Sequence, residues 1–278
     1  MTRGSVPRDP VFQENKMDTV TYREILSRLT PDAAGVSLQV FDSVTSTNDL
    51  LREAAERNAP EFTVFAAKQQ TAGKGRQGRQ FYSPPQTGLY LSILFRPQIA
   101  PAETLALTPM AAVAAADAVE RCTGKQVQIK WVNDLLLGGR KICGILAESQ
   151  FSDAETLDYV IVGIGINLLE PPQGFPPEIR DIAGAVYPAE ANAETAFTDC
   201  AAALISALMR EYRGLPQKHY LTGYRSRLCM LGKTVTVCEN GTERQAQAIA
   251  VDDDLRLLVR YADGTEQWRS TGEIRIRL

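Results

Sequence analysis

The sequence predicts an α+β protein that ends in a small all-β module. Three observations carry this reading. Short apolar runs at Val36–Phe41, Gly88–Arg96 and Tyr159–Leu168 have the length and residue types of strands. Helical stretches alternate with them, above all alanine-rich Thr104–Arg121 and amphipathic Thr195–Arg213. From Leu231 onward the pattern changes to short strands with tight turns at Asn240-Gly241, Asp252–Asp254 and Asp263-Gly264. A boundary near Cys229 follows, giving units at 17–229 and 230–278.

Residues 1–16 are polar and aperiodic, and Met17 offers an alternative start, so they read as a disordered leader or a non-native extension. A short helix is expected over Tyr22–Leu29, closed by Pro31 and Gly35, and Met17 to Phe41 is too short for a DNA-binding winged helix. Ser46 or Thr47 caps a helix over Asn48–Arg57, with Leu50, Leu51, Ala54 and Ala55 facing inward. Phe62–Ala67 is strand-like, and Val127–Val132 alternates as a strand into Asn133-Asp134. Leu135-Leu136-Leu137 meets a Gly138-Gly139 turn and returns as Lys141–Glu148, a hairpin. Gly163 and Gly165, inside a strand, imply close approach of a ligand or neighbouring backbone. Glu170–Pro188 is a proline-rich loop.

Composition narrows the function classes. An apolar fraction of 44% and a charged fraction of 23% are those of a soluble globular chain. A pI near 5.4 argues against a general affinity for nucleic acid or anionic membrane. No DNA or membrane partner is therefore expected. Five scattered cysteines without a C-x-x-C pair suggest neither a disulfide framework nor a zinc ribbon, and point to the reducing cytoplasm. His219 is the only histidine, which excludes multi-histidine metal sites; no metal ligands are assigned.

The most informative stretch is Gln69–Arg79, where Gly73, Gly75 and Gly78 alternate with Lys74, Arg76 and Arg79. No Asp or Glu occurs from Phe62 to Ala102, although the formal net charge is −3. Glycines let backbone N–H groups approach a ligand, and the cations add charge-assisted hydrogen bonds, a chemistry suited to an anion. The spacing also fits a dinucleotide fingerprint, but Pro84-Pro85 follows too soon for the helix that motif needs. A P-loop fails because Arg79-Gln80 stands where Lys-Ser/Thr is required.

Several pieces together resemble the biotin protein ligases. They are Ser46-Thr47-Asn48, Gln70 through Phe81, Lys130-Trp131-Val132-Asn133-Asp134, Lys141 through Glu148, and Gly163-Ile164-Gly165-Ile166-Asn167. The resemblance implies a mixed β-sheet flanked by helices, related to class II aminoacyl-tRNA synthetases and biotinyl/lipoyl ligases, with an SH3-like C-terminal β-barrel. It also implies a two-step reaction. Biotin and Mg-ATP give biotinyl-5′-AMP and pyrophosphate, and biotin then passes to one lysine of a biotin carboxyl carrier protein. Biotin and ATP are thus substrates, with Mg²⁺ held through the nucleotide phosphates; a homodimer is left open. Three positions depart from the family pattern: Lys74 replaces an arginine, Phe81 a tryptophan and Val132 a proline.

The resemblance assigns Lys141, Arg76 and Asp134 to catalysis. Lys141 bridges the biotin carboxylate and α-phosphate, and Asp134 orients the incoming lysine or takes its proton. Ser46, Thr47, Asn48, Gln70, Gly73, Lys74, Gly75, Arg76, Phe81, Lys141 and Gly144 are expected around biotin. Arg76, Arg79, Lys130, Asn133 and Asn167 are expected around ATP. Two rivals are weighed. A lipoate ligase shares the chemistry, but its Arg-Arg-x-Gly-Gly-Gly stretch is missing. An RNA-binding module conflicts with the acidic pI.

Overall fold

The computed structural model describes residues 18–152, 156–239, 242–270 and 273–276. Residues 1–16 and the Asn240-Gly241 turn lie outside them. The elements run α1 (Thr19–Arg28), β1 (Ser37–Phe41), α2 (Thr47–Glu56), β2 (Thr63–Ala67), β3 (Gly88–Phe95), α3 (Leu107–Thr123), β4 (Gln128–Lys130), β5 (Asp134–Leu137), β6 (Arg140–Phe151) and β7 (Leu157–Asn167). After these come α4 (Ala193–Arg213), α5 (Tyr220–Arg227) and strands β8 (Thr234–Glu239), β9 (Thr242–Val251), β10 (Leu257–Tyr261), β11 (Glu266–Arg269) and β12 (Glu273–Ile276).

Strands β1 to β7 form one sheet in the order β1-β2-β3-β7-β6-β5-β4. Only the β1–β2 pair is parallel, so the sheet is mixed, as expected. Strands β8 to β12 make a separate antiparallel sheet, which fits the SH3-like module.

Alternation along β3 explains why the large sheet needs two different covers. Leu89, Leu91, Ile93 and Phe95 face the main core, where they meet the alanines of α3 and the Leu204, Ile205 and Leu208 face of α4. Small side chains let α3 pack close, and Gly124, at φ 68, ends it in the left-handed conformation that suits a C-cap. The stretch Pro101–Thr123 is long and apolar enough to cross a membrane, yet its alanines are buried here as a core helix. On the opposite face, Leu94, Phe41, Phe65 and Ile161 are covered by Leu50, Leu51, Ala54 and Ala55 of α2. Helix α2 packs mainly over β2, β3 and β7 on that face. The remaining β6–β5–β4 side borders the candidate site.

Two expectations are corrected. The Val127–Val132 run is a strand only over Gln128–Lys130, because Trp131 turns into the interior and gives its indole N–H to the Leu255 carbonyl. Helix α5 was not expected. It forms because Tyr220 and Tyr224 are buried and Arg227 reaches Asp117 and Glu120 on α3, tertiary partners that no local pattern encodes.

A part-buried charge cluster ties the start of the described chain to the root of the glycine loop. Lys68, directly after β2, bonds Asp18 at 2.8 Å and Glu194 at 3.0 Å, and Thr21 Oγ1 reaches the same two carboxylates. Burial works against the Asp18 carboxylate, but hydrogen bonds from Lys68 and Thr21 outweigh it and hold the acid down from 3.8 to about 2. Stability from Asp18 is therefore complete above its unfolded value and is lost as pH falls from about 4 toward 2. Lys68→Met is expected to cost about 1–2 kcal/mol at pH 7. Urea titrations at pH 7 and pH 3 check it: the gap from the parent should shrink at the lower pH.

Candidate active site

The site lies on one row of cross-strand partners. Lys130 on β4 opposes Asp134 on β5, which opposes Gly144 on β6, Gly165 on β7 and then Tyr90 on β3. The next row on the same face carries Ser92, Gly163 and Leu146. Two paired glycines leave a shallow floor, and the Phe81 ring lies on it. A Cβ built at Gly165 would sit 2.5 Å from the ring, and one at Gly144 would sit 3.1 Å from it. The ring meets Tyr90 edge-on at 6.4 Å. The close approach expected at Gly163 and Gly165 is made by side chains, Asn48 and Phe81, not by backbone.

Above this floor is a cavity of about 180 Å³ lined by five cations, Lys74, Arg76, Arg79, Lys130 and Lys141, and by a single carboxylate, Asp134. Lys141 Nζ lies 2.6 Å from Asp134 Oδ1, with Lys130 3.9 Å from the other oxygen. An excess of positive charge in a concave, partly desolvated space attracts an anion more strongly than the same charges spread over a surface.

Helix α2 brings its N-terminus to the cavity edge. Ser46 caps it by accepting the Asp49 N–H, so the capping reading of Ser-Thr-Asn holds for Ser46. Thr47 and Asn48 are instead drawn into a polar chain. Gln70 Oε1 accepts the Thr47 N–H at 2.8 Å, and Ser92 Oγ lies 2.7 Å from Thr47 Oγ1 and 2.5 Å from Asn48 Oδ1. Asn48 Nδ2 donates to Glu148 at 2.6 Å, and Arg52 pairs with the other Glu148 oxygen. Thr47, Asn48 and Gln70 are thus neutral polar groups fixed on the cavity lining.

The glycine loop folds back as a small hairpin. Gly75 gives its N–H to Arg79 O at 2.7 Å, and Phe81 N–H reaches Gly73 O. Gln77 at φ 58 and Gly78 at φ 72 make the turn. Gly75 therefore does not offer its N–H to an anion, and the cations carry that task. Gly73 does not line the cavity; it is packed under Phe81 O and Ser83 Oγ. Lys74 turns to Asp49 at 2.5 Å, and Arg76 Nη1 donates to Asn133 Oδ1 at 3.0 Å.

The structure brings together all the other residues expected at the site except Asn167, whose Nδ2 bonds Gly184 O at 3.0 Å. That contact belongs to a support the sequence did not reveal. Within the Glu170–Pro188 loop, Ile182 O accepts the Lys141 N–H and Gly184 N–H returns to Lys141 O. Ser92, Tyr90 and Glu148 were also missed as site residues. Ser92 left a signal, a lone polar residue in the apolar run Gly88–Phe95.

The sequence model of the Biotin/lipoate A/B protein ligase family matches residues 40–167, the segment that supplies the whole cavity lining. This segment belongs to that family. The bifunctional ligase/repressor BirA of Bacillus subtilis (strain 168) is 41% identical over 160 residues, which is 58% of this chain and 49% of that protein. The biotin–[acetyl-CoA-carboxylase] ligase of Mycobacterium tuberculosis is 31% identical over 150 residues, 52% of this chain and 54% of that protein. The chain spans about half the length of these biotin/lipoate family relatives. The fold matches a biotin protein ligase from Aquifex aeolicus in complex with biotin and ATP, with a TM-score of 0.69 and 24% identity over 87% of this chain and 98% of that one.

Proposed function

We propose that the chain is a biotin protein ligase, which makes biotinyl-5′-AMP from biotin and Mg-ATP and then biotinylates one lysine of a carrier protein. The observation that carries this is the make-up of the cavity lining, which joins fixed neutral amide and hydroxyl groups (Thr47, Asn48 and Gln70) with five cations and a single carboxylate. A ureido ring suits the first and a carboxylate meeting a phosphate suits the second. The relatives' names, a ligase/repressor and a biotin–[acetyl-CoA-carboxylase] ligase, support the same reading.

In the first step a biotin carboxylate oxygen attacks the α-phosphorus, the α–β bridging bond breaks, and pyrophosphate leaves. Both reactants are anions, so the protein's task is to neutralise charge and align them, without a covalent nucleophile. Lys141 bridges carboxylate and α-phosphate; Arg76, Arg79 and Lys130 hold the phosphates. Mg²⁺ would come with the nucleotide, held through its phosphates. In the second step the lysine amine attacks the carbonyl carbon and AMP leaves. Asp134, 2.6 Å from Lys141, orients that amine and takes the proton it loses.

Pyrophosphate exchange into ATP, run with biotin and with lipoate, tests the reading. Biotin-dependent exchange is expected. Exchange with lipoate alone, or with neither acid, would overturn it. A finer check uses Gly163→Ala, whose new methyl pushes on Asn48, itself held by Ser92 and Glu148. Because Asn48 cannot yield cheaply, biotin KM should rise about 10-fold, the size of a modest overpacking cost. An unchanged KM would remove Asn48 from the biotin contacts.

A further inference from the structure

The run Trp131–Asn133 forms one wall of the cavity, and a different part of the chain holds each of its residues. Asn133 gives Nδ2–H to Ile145 O at 2.9 Å and presents Oδ1 to Arg76. Tyr224 of α5 donates its hydroxyl to Val132 O at 3.1 Å. The Trp131 indole, buried at 4% exposure, donates Nε1–H to Leu255 O at 2.9 Å. Leu255 lies in the turn between β9 and β10, so this bond joins the C-terminal sheet to the wall of the cavity on the large one.

The turn that offers this carbonyl is stiff. The Asp252 carboxylate accepts the N–H groups of Asp254 at 3.1 Å and Arg256 at 2.8 Å, and also takes Arg256 Nε at 2.7 Å. Arg225 of α5 clasps it from outside through Val251 O and Asp253. Leu255 is kept at φ 64, a left-handed conformation that leucine avoids when unconstrained. A buried indole N–H needs some acceptor. Here the acceptor belongs to the other sheet, and its donor lies two residues from the side chain that holds Arg76.

We infer that Trp131 is a positioning residue through which the C-terminal module orients Arg76, by way of the Trp131–Leu255 bond and Asn133. The inference rests on the ligase reading for its assay. Trp131→Phe keeps the ring and removes only the N–H. It should lower kcat of biotin-dependent exchange about 10-fold, with biotin KM within about twofold, because the loss falls on alignment at the phosphate end. In an Asn133→Ala background, where the route is already cut, the same substitution should lower kcat no further. Asp252→Ala loosens the turn from the far side without touching the core. It should show the same pattern at about threefold, and it serves if Trp131→Phe does not fold. Equal losses in both backgrounds, or a raised biotin KM with unchanged kcat, would overturn the inference. A parent chain that shows no exchange would count against the ligase reading instead.

Discussion

Lys141→Ala is expected to lower adenylate formation by about 10²–10³-fold, the usual cost of removing one charge donor from a transition state. The position is built for aim. The residue is second in β6, beside the Gly138-Gly139 turn, and its backbone is bonded to Ile182 and Gly184, so the ammonium projects from a fixed base. Its side chain is a third exposed and makes one ion pair, to Asp134. Exposed pairs contribute about 0–1 kcal/mol, so the melting temperature should change little while the rate collapses. Lys141→Arg should restore only part of the rate, because a planar fork on a longer stem cannot occupy the place of a compact ammonium. Pyrophosphate exchange and thermal unfolding of the three proteins separate these effects. Near-normal exchange in the alanine variant would move the bridging role to Lys130, the other cation beside Asp134.

Much of this arrangement is legible in the sequence because its causes are local. The Gly138-Gly139 hairpin follows from two successive residues at positive φ, and the α2 boundary from a serine whose hydroxyl accepts a backbone N–H. The cavity's cations are legible for a different reason: they sit in short motifs that resemble a family, around glycines whose spacing marks close approach. What stays hidden depends on through-space pairing. Neither the partnership of Lys74 with Asp49 nor that of Asn48 with Glu148 leaves a trace in spacing, since they join segments 25 and 100 residues apart. Helix α5 is hidden for the same reason, because its residues have almost no apolar face and its stability comes from contacts with α3. Asn167 shows the limit of transfer by motif. The sequence places it near the end of a strand, where β7 has it, yet its side chain braces the loop behind Lys141.

Arg76→Gly should release the adenylate about 10- to 100-fold faster than the parent. A mixed anhydride acylates free amines, so the enzyme must retain it until its carrier arrives. Arg76 sits in the turn of the glycine hairpin and reaches across the cavity to Asn133, so its guanidinium spans the space above the floor. With adenylate bound, a charge-assisted contact from that guanidinium contributes about 1.5–3 kcal/mol. Replacement by glycine removes the contact. It also places a third glycine in the four residues Gly75–Gly78, where Gln77 already occupies a left-handed conformation, so the hairpin gains freedom to open. Faster loss of adenylate then predicts labelling of lysines on proteins that the enzyme does not bind. Incubating Arg76→Gly with biotin, ATP and an unrelated protein, then probing that protein for biotin, tests the idea. Bystander labelling should rise with time in the variant and stay low in the parent. If the variant makes adenylate at a measurable rate and the bystander stays unlabelled, retention lies with other contacts, and the cross-cavity reach of Arg76 serves only the first step.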